Sequence, residues 1–215
     1  MNRRLAVLIS GRGSNLQAIL DAIARGHLDA AVAVVISNRA GAPGLVRARE
    51  AGIDAVHLAP ANYADRDSYE RAIVEEFRRR DVGLVCLAGY MRLVGPMLLE
   101  AYPNRIVNIH PSLLPSFPGL HAQQQALEHG VRVSGATVHL VDGALDAGPI
   151  VLQAAVPVLD QDTVDSLSER ILIEEHRIYP ESLRILLDGR WRVSGRRVIT
   201  QRPDEGSVPP LQADS

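Results

Sequence analysis

Between residues 5 and 109, short apolar runs alternate with amphipathic stretches, and this alternation restricts the fold more than any other feature of the chain. The runs cover 5–9, 32–37, 55–58, 84–87 and 105–109. Four of the five are almost continuously apolar or β-branched, the pattern of strands covered on both faces. Helix-like periodicity fills the gaps at 15–24, 44–51, 66–80 and 94–101. Strand–helix repetition at this spacing implies βαβ units and a doubly wound parallel sheet.

Beyond residue 130 the pattern changes. Strand-like runs at 136–141 and 150–158 are separated by the polar loop DGALDAGP, which is too short for a helical crossover. They are therefore expected to be antiparallel. A long helix is expected from about 163 to 187, opened by Asp162 as its cap and bent or interrupted at Pro180. RWRVSGRRVIT reads as a hairpin around Ser194 and Gly195, and the Pro-, Ser- and Asp-rich tail after it as flexible. The expected fold class is α/β: an open, doubly wound, mostly parallel sheet with antiparallel strands in the C-terminal half. One domain is expected over 1–190, with a nucleotide- or phosphate-binding half at 1–105 and a catalytic half at 106–190, followed by the hairpin and tail at 191–215.

The bulk numbers exclude several classes. A chain of 215 residues, 47% apolar and 22% charged, can bury a substantial core like an ordinary globular protein. A net charge of −2 gives no argument for a nucleic-acid or membrane partner. The single Cys86, within LVCLAG, excludes a disulfide framework inside the chain and reads as a small buried apolar residue. The opening MNRRLAVLIS carries an apolar run too short for a signal segment or a membrane span, so the expected compartment is the cytoplasm.

Chemistry enters at the first turn. VLISGRGSNLQAIL is strand, glycine turn, helix. Backbone N–H groups at such a helix start form an anion site, with Gly13, Ser14 and Asn15 as the phosphate contacts. A dinucleotide fingerprint fails, because Leu16 stands where a third glycine is needed and SNRAG offers no acid. Arg39 in that segment would at most suit a 2′-phosphate. The ATP-type P-loop fails for want of Gly-Lys-Ser/Thr. A single phosphate suits the turn best.

VNIHPSLLP supplies the next group. Asn108 and His110 face the same side at the end of the fifth run, and open α/β sheets bind ligands outside that edge. Pro111 ends the strand. Asp146, in the glycine-flanked loop, can reach inward, and beside an imidazole it is expected to raise the histidine pKa above its usual ~6.5. Asp142 in the same loop reads as a turn former. No nucleophile elbow surrounds Ser112, and one histidine among scattered carboxylates makes a poor metal site, so no metal is expected. Asn108, His110 and Asp146 suit polarising a carbonyl and moving a proton. Glu175 shares a helical stripe with Leu167, Ile171 and Ile178. A carboxylate there needs a partner, either an arginine of the protein or an amine or hydroxyl of a substrate.

The segments ISGRGSNLQAI, LAGYMRLV, NIHPSLLPSFPGLHA, GATVHLVDGALDAGPIVLQ and EEHRIYP resemble the glycinamide ribonucleotide transformylases of the folate-dependent formyltransferase family, over nearly the whole chain to about residue 190. NIHPSLLP is shared by the wider family, and GRGSN narrows the likeness. The resemblance implies a formyltransferase-like fold with a folate-side C-terminal half. It implies attack by the primary amine of glycinamide ribonucleotide on the formyl carbon of 10-formyltetrahydrofolate, a cosubstrate, in purine synthesis. It implies Asn108, His110 and Asp146 as the catalytic trio, with Gly13, Ser14, Asn15, Arg66 and Glu175 at the ribonucleotide. It implies Met91, Arg92, Leu93, Val94 and Asn108, with Asp142, Gly143, Ala144, Leu145 and Asp146, at the folate; Tyr90 and Val94 are local variants. Protonated His110 and the Asn108 amide would carry the oxyanion, with Asp146 holding His110 charged. The partners would be the two small molecules, and the chain a monomer or weak homodimer.

Three alternatives stand beside this. A methionyl-tRNA formyltransferase is expected to need a further C-terminal domain, and a formyltetrahydrofolate hydrolase an extra N-terminal one. A non-catalytic nucleotide-binding module would explain the glycine turn but leave Asn108, His110, Asp146 and Glu175 as coincidences.

Overall fold

The computed structural model describes residues 2–200, so the tail expected after the hairpin lies outside the described residues. The first half contains β1 (Arg4–Ile9), α1 (Ser14–Ala24), β2 (Ala31–Ser37), α2 (Pro43–Glu50), β3 (Ala55–His57), α3 (Arg66–Arg79), β4 (Leu84–Leu87), α4 (Pro96–Ala101) and β5 (Ile106–His110). The second contains α5 (Ala122–Glu128), β6 (Val133–Leu140), β7 (Ile150–Pro157), α6 (Val164–Asp188), β8 (Trp191–Ser194) and β9 (Arg197–Thr200). All nine strands join one sheet in the order β3-β2-β1-β4-β5-β6-β7-β9-β8. The β3-β2-β1-β4-β5 portion is parallel throughout. β6 is antiparallel to β7, as the short loop between them requires, and also to β5. The terminal hairpin also belongs to the sheet, since β9 pairs in parallel with β7 at Ile150 and Arg197.

The apolar runs are continuous because the sheet is covered on both faces. Along β1, Leu5, Val7 and Ile9 enter one core, with Leu16 and Ile19 of α1, Leu45 of α2 and Leu167 and Ile171 of α6. Ala6 and Leu8 enter the other, with Tyr69, Ile73 and Phe77 of α3 and Leu98 of α4. Alternation along one strand thus feeds two layers of helices. Cys86 is fully buried.

The expected cap of α6 is corrected. Its cap is Thr163, not Asp162: the Thr163 side chain accepts from the Ser166 N–H while the Ser166 hydroxyl accepts from the Thr163 N–H. Asp162 instead takes the Arg170 guanidinium at 2.7 Å and the Leu159 N–H at 2.8 Å. Pro180 does not interrupt the helix, which runs unbroken across it. A proline costs one i→i−4 bond, but Tyr179, Ser182, Leu183, Leu186 and Leu187 around it are all buried and hold both segments to the sheet. Tyr179 is the firmest tie, its hydroxyl lying 2.9 Å from the Leu87 carbonyl and 3.1 Å from that of Val107.

A candidate active-site cleft at the carboxyl edge of the sheet

β1 sits between β2 and β4, so strand order reverses there and the loops after β1 and β4 part. Open α/β sheets form their ligand crevice at such a point. A cleft of ≈ 700 Å³ occupies it, walled by the turn after β1, Ala88, Gly89 and Met91 after β4, Ile109 and Pro111 around the end of β5, and one side of α6. The loops are stitched together: Ser10 N–H donates to the Gly89 carbonyl at 3.0 Å, and Met91 N–H to Ser10 Oγ at 2.8 Å.

Gly13, Ser14 and Asn15 line this cleft, with Gly13 as the left-handed cap of α1 at φ 72°. Only glycine suits the position, because a Cβ there would lie 2.7 Å from Gly44 Cα, where the turn packs on the start of α2. Glu175 reaches the same cleft from α6. No arginine meets it; among the described residues its partner is the Asn15 amide, Nδ2 to Oε2 at 2.8 Å. Burial raises the Glu175 pKa, and the Asn15 bond only partly offsets this. The cleft is polarised, since Arg12 and Arg39 stand with the glycine turn while Asp165, Glu169 and Glu175 stand along α6. Arg66 does not line it. Its Nε lies 3.2 Å from Glu70 Oε1 and its Nη2 donates to the Leu93 carbonyl at 3.1 Å, two residues beyond the cleft-lining Met91.

Asn108, His110 and Asp146 do converge. Asp146 Oδ2 lies 3.4 Å from His110 Nδ1, and Asp146 Oδ1 accepts from Asn108 Nδ2 at 3.5 Å. Asp146 is reachable because its residue adopts left-handed backbone at φ 48° and its Oδ2 accepts the Gly119 N–H at 2.8 Å. His110 Nε2 lies 2.8 Å from the Phe117 carbonyl, which can only accept, so Nε2 carries the hydrogen. A neutral His110 therefore turns the lone pair of Nδ1 toward the carboxylate, and a second proton converts that contact into an ion pair.

The expected upward shift of His110 is corrected. Burial pulls its pKa below the usual value, and the Phe117 carbonyl and Asp146, which both raise it, do not make up the difference. Burial acts on Asp146 too, raising its carboxyl, but the His139 side chain, the Gly119 N–H and the neighbouring histidines outweigh it and hold the pKa low.

His139 is a member that sequence reasoning missed. It lies directly opposite Asn108 in the antiparallel β5–β6 register. Its Nε2 is 3.2 Å from Asn108 Nδ2 and 3.6 Å from Asp146 Oδ1, and its Nδ1 is 2.9 Å from the Leu140 carbonyl. That carbonyl fixes the hydrogen on Nδ1, so in neutral His139 the Nε2 lone pair accepts from the Asn108 amide.

The residues that the resemblance assigned to the folate are mixed: Arg92 and Asp142 are exposed, while Val94, Asn108 and Asp146 are partly buried. Met91, Leu93 and Leu145 are each more than half exposed. Leu145 lies beside Gly119, and Arg92 stacks over the Tyr69 ring at 5.3 Å. Asp142 accepts the Ala144 N–H at 3.0 Å and so shapes its own loop, as a turn former would. Among the described residues no group of His, Cys, Asp and Glu is placed to hold a metal ion, and no helix is long and apolar enough to cross a membrane.

A model of the formyl transferase family matches residues 3–183. The chain belongs to the formyl transferase family. Phosphoribosylglycinamide formyltransferase of Escherichia coli (strain K12) is 44% identical over 189 residues, 88% of this chain and 89% of that protein. The trifunctional purine biosynthetic protein adenosine-3 of Drosophila melanogaster is 47% identical over 196 residues, 89% of this chain but 14% of that protein, so this formyl transferase spans only a small part of the longer relative. The crystal structure of glycinamide ribonucleotide transformylase 1 from Symbiobacterium toebii aligns with a TM-score of 0.92 at 59% identity, covering 94% of this chain and 95% of that one.

Proposed function

We propose that this formyl transferase moves the formyl group of 10-formyltetrahydrofolate to the primary amine of glycinamide ribonucleotide, a step of purine synthesis. The observation that carries the reading is the polarity of the cleft. A phosphate-type turn and two arginines line it, and α6 adds a buried carboxylate, Glu175, that no arginine neutralises and that bonds Asn15 of the turn. A ligand that carries both a phosphate and an amine matches that set of groups. Water as the formyl acceptor, as in a hydrolase, would leave both the turn and Glu175 without a ligand.

In this reading the Gly13–Asn15 turn holds the phosphate, and Glu175 with Asn15 orients the glycinamide part. Arg66 contributes from the side of the 91–94 segment. The amine nitrogen attacks the formyl carbon, so a C–N bond forms, the formyl oxygen gains negative charge, and the bond to N10 of the folate breaks. One proton leaves the amine and one reaches N10. His110, carrying its second proton, and the Asn108 amide stabilise the oxygen. The Asn108–Asp146 contact of 3.5 Å is at the limit of a hydrogen bond, so that N–H is the one free to turn to a substrate oxygen. Asp146 favours the charged His110 and relays protons through water. Met91, Leu93, Leu145 and the loop from Asp142 to Asp146 receive the folate. The same reading carries with it cytoplasmic action by a monomer or weak homodimer.

The test is formylation of glycinamide ribonucleotide by the purified protein with 10-formyltetrahydrofolate. Turnover that needs both compounds is expected, and its absence ends the reading. His110→Ala should lower kcat by roughly 10²–10³, the usual cost of one oxyanion-stabilising donor, and Asp146→Asn should lower it through His110, both with folding retained. Unchanged turnover in both would remove the assigned roles.

A further inference from the structure

The segment 111–121 belongs to no helix or strand, yet it supplies the Phe117 carbonyl that fixes the hydrogen of His110 on Nε2. Phe117 stands at φ 52°, left-handed backbone that a bulky residue keeps only where its surroundings hold it. Its ring packs on the core, 5.3 Å from that of His129. The backbone before it is held from the sheet. His110 of β5, Thr137 of β6 and Gln153 of β7 form one row, each directly opposite the next in register. Thr137, fully buried, donates to the Ser112 carbonyl at 2.7 Å and accepts the Leu114 N–H at 3.0 Å. Gln153 Nε2 donates to the Leu114 carbonyl and to Thr137 Oγ1, both at 2.9 Å. Leu114 is thus gripped at its N–H and at its carbonyl. Ser112 Oγ donates to the Ser116 carbonyl at 2.5 Å, and the Ser116 N–H to the Leu113 carbonyl at 3.0 Å, which carries the grip to the residue before Phe117.

We propose that Gln153 is a positioning residue for the formyl transfer, clamping the 112–116 segment through Leu114 and Thr137 so that the strained Phe117 carbonyl holds His110 in one tautomer and one orientation. The inference rests on the reading of His110 as a group that stabilises the oxyanion. A hydroxyl has one hydrogen, and Thr137 gives it to Ser112, so Thr137 cannot also satisfy the Leu114 carbonyl. The two hydrogens of the Gln153 amide supply what it lacks. Gln153 is an exposed strand residue, and its amide is nevertheless spent on two protein acceptors. One of them is on the His110 segment, and the other belongs to the residue opposite His110.

The experiment compares Gln153→Leu, which removes the donor, with Gln153→Lys, which returns an N–H donor on a flexible chain. Each variant is measured for the ¹⁵N NMR signals of the His110 ring, kcat, KM for both substrates, and Tm. Gln153→Leu should lower the Nε2–H share of neutral His110. It should lower kcat roughly 10-fold, within the ~10²-fold that a misplacement of about 1 Å can cost. KM for glycinamide ribonucleotide should change less than about twofold, because the phosphate turn is untouched. Gln153→Lys should bring both the tautomer and kcat back toward wild type. A fall in Tm with tautomer and kcat unchanged makes Gln153 a fold residue only and overturns the proposal. So does a Lys variant as impaired as the Leu variant. Should Gln153→Leu not fold, Gln153→Glu carries the test, since it keeps the shape without the donor: an unchanged tautomer overturns the proposal. If the wild type forms no formylated product at all, the proposed reaction falls. The NMR comparison still decides on its own whether Gln153 positions His110.

Discussion

His110 is where burial and charge pull in opposite directions. Burial holds its pKa below the usual histidine value, while Asp146 3.4 Å away raises it. Replacing Asp146 by Asn removes a raising influence and leaves burial in place, so the His110 pKa should fall further and less of it should carry the second proton at pH 7. An NMR titration of the imidazole in the two proteins checks this, and a higher pKa in Asp146→Asn would contradict the role given to Asp146. Glu175 offers the opposite sign. Its folded pKa is raised above the usual glutamate value, mainly by burial. Protonated Glu175 therefore favours folding below the unfolded pKa of ~4.3, and that contribution is lost as pH rises through the folded pKa. Glu175→Gln keeps an acceptor for Asn15 without the charge. It should be more stable than the wild type at pH 7, by about 1 kcal/mol, with the gap closing below the unfolded pKa of ~4.3. It should also bind glycinamide ribonucleotide more weakly. Thermal melts across pH beside KM measurements settle both parts, and equal stability at pH 7 would mean the buried charge costs nothing.

Elements set what was legible in the sequence. The parallel strands of the first half were readable because burial on both faces makes their runs continuous, and Asn108 and His110 were readable because Pro111 marks the strand end. The glycine turn was readable for a similar local reason. His139 was not, because its place depends on the β5–β6 register, which pairs it with Asn108 across 31 residues of chain. α5 was missed as a short helix of seven residues, opened by left-handed His121 without a side-chain cap. Asp162 was misread as a cap because a cap and a salt-bridge acceptor look alike beside Thr163. The direction of the His110 shift depends on how deeply the ring is buried, which residue spacing does not reveal. The turn itself has an element-scale partner that only packing exposes. A Cβ on Gly44 would lie 2.4 Å from Ile9 Cδ1 and 3.2 Å from Gly13 Cα. Gly44→Ala should therefore push α2 off the phosphate turn, costing about 1–3 kcal/mol of stability as overpacking does. KM for glycinamide ribonucleotide should rise while that for the folate stays put. A Tm and both KM values within error of wild type would show that the close approach is not needed.

The whole molecule is one sheet, and the cleft takes walls from both halves of the chain. β4 and β5 join the halves edge to edge, α6 crosses back to the Leu87 carbonyl through Tyr179, and Asn15 of α1 bonds Glu175 of α6. The halves at 1–105 and 106–190 share cores and the ligand site, so neither buries its apolar face without the other. Unfolding should then be a single cooperative transition, with far- and near-UV signals coincident. Glycinamide ribonucleotide bound across the two walls should move that transition as a unit. At a ligand concentration one hundred times its Kd the stabilisation is about 2.7 kcal/mol. For a chain of this size that corresponds to an increase of roughly 5–10 °C in Tm. Inorganic phosphate occupying only the turn should give a smaller shift, because it leaves Glu175 and the α6 wall unengaged. Two resolved transitions, with only the first-half transition moved by the ribonucleotide, would show that the halves fold separately and that the ligand does not bridge them.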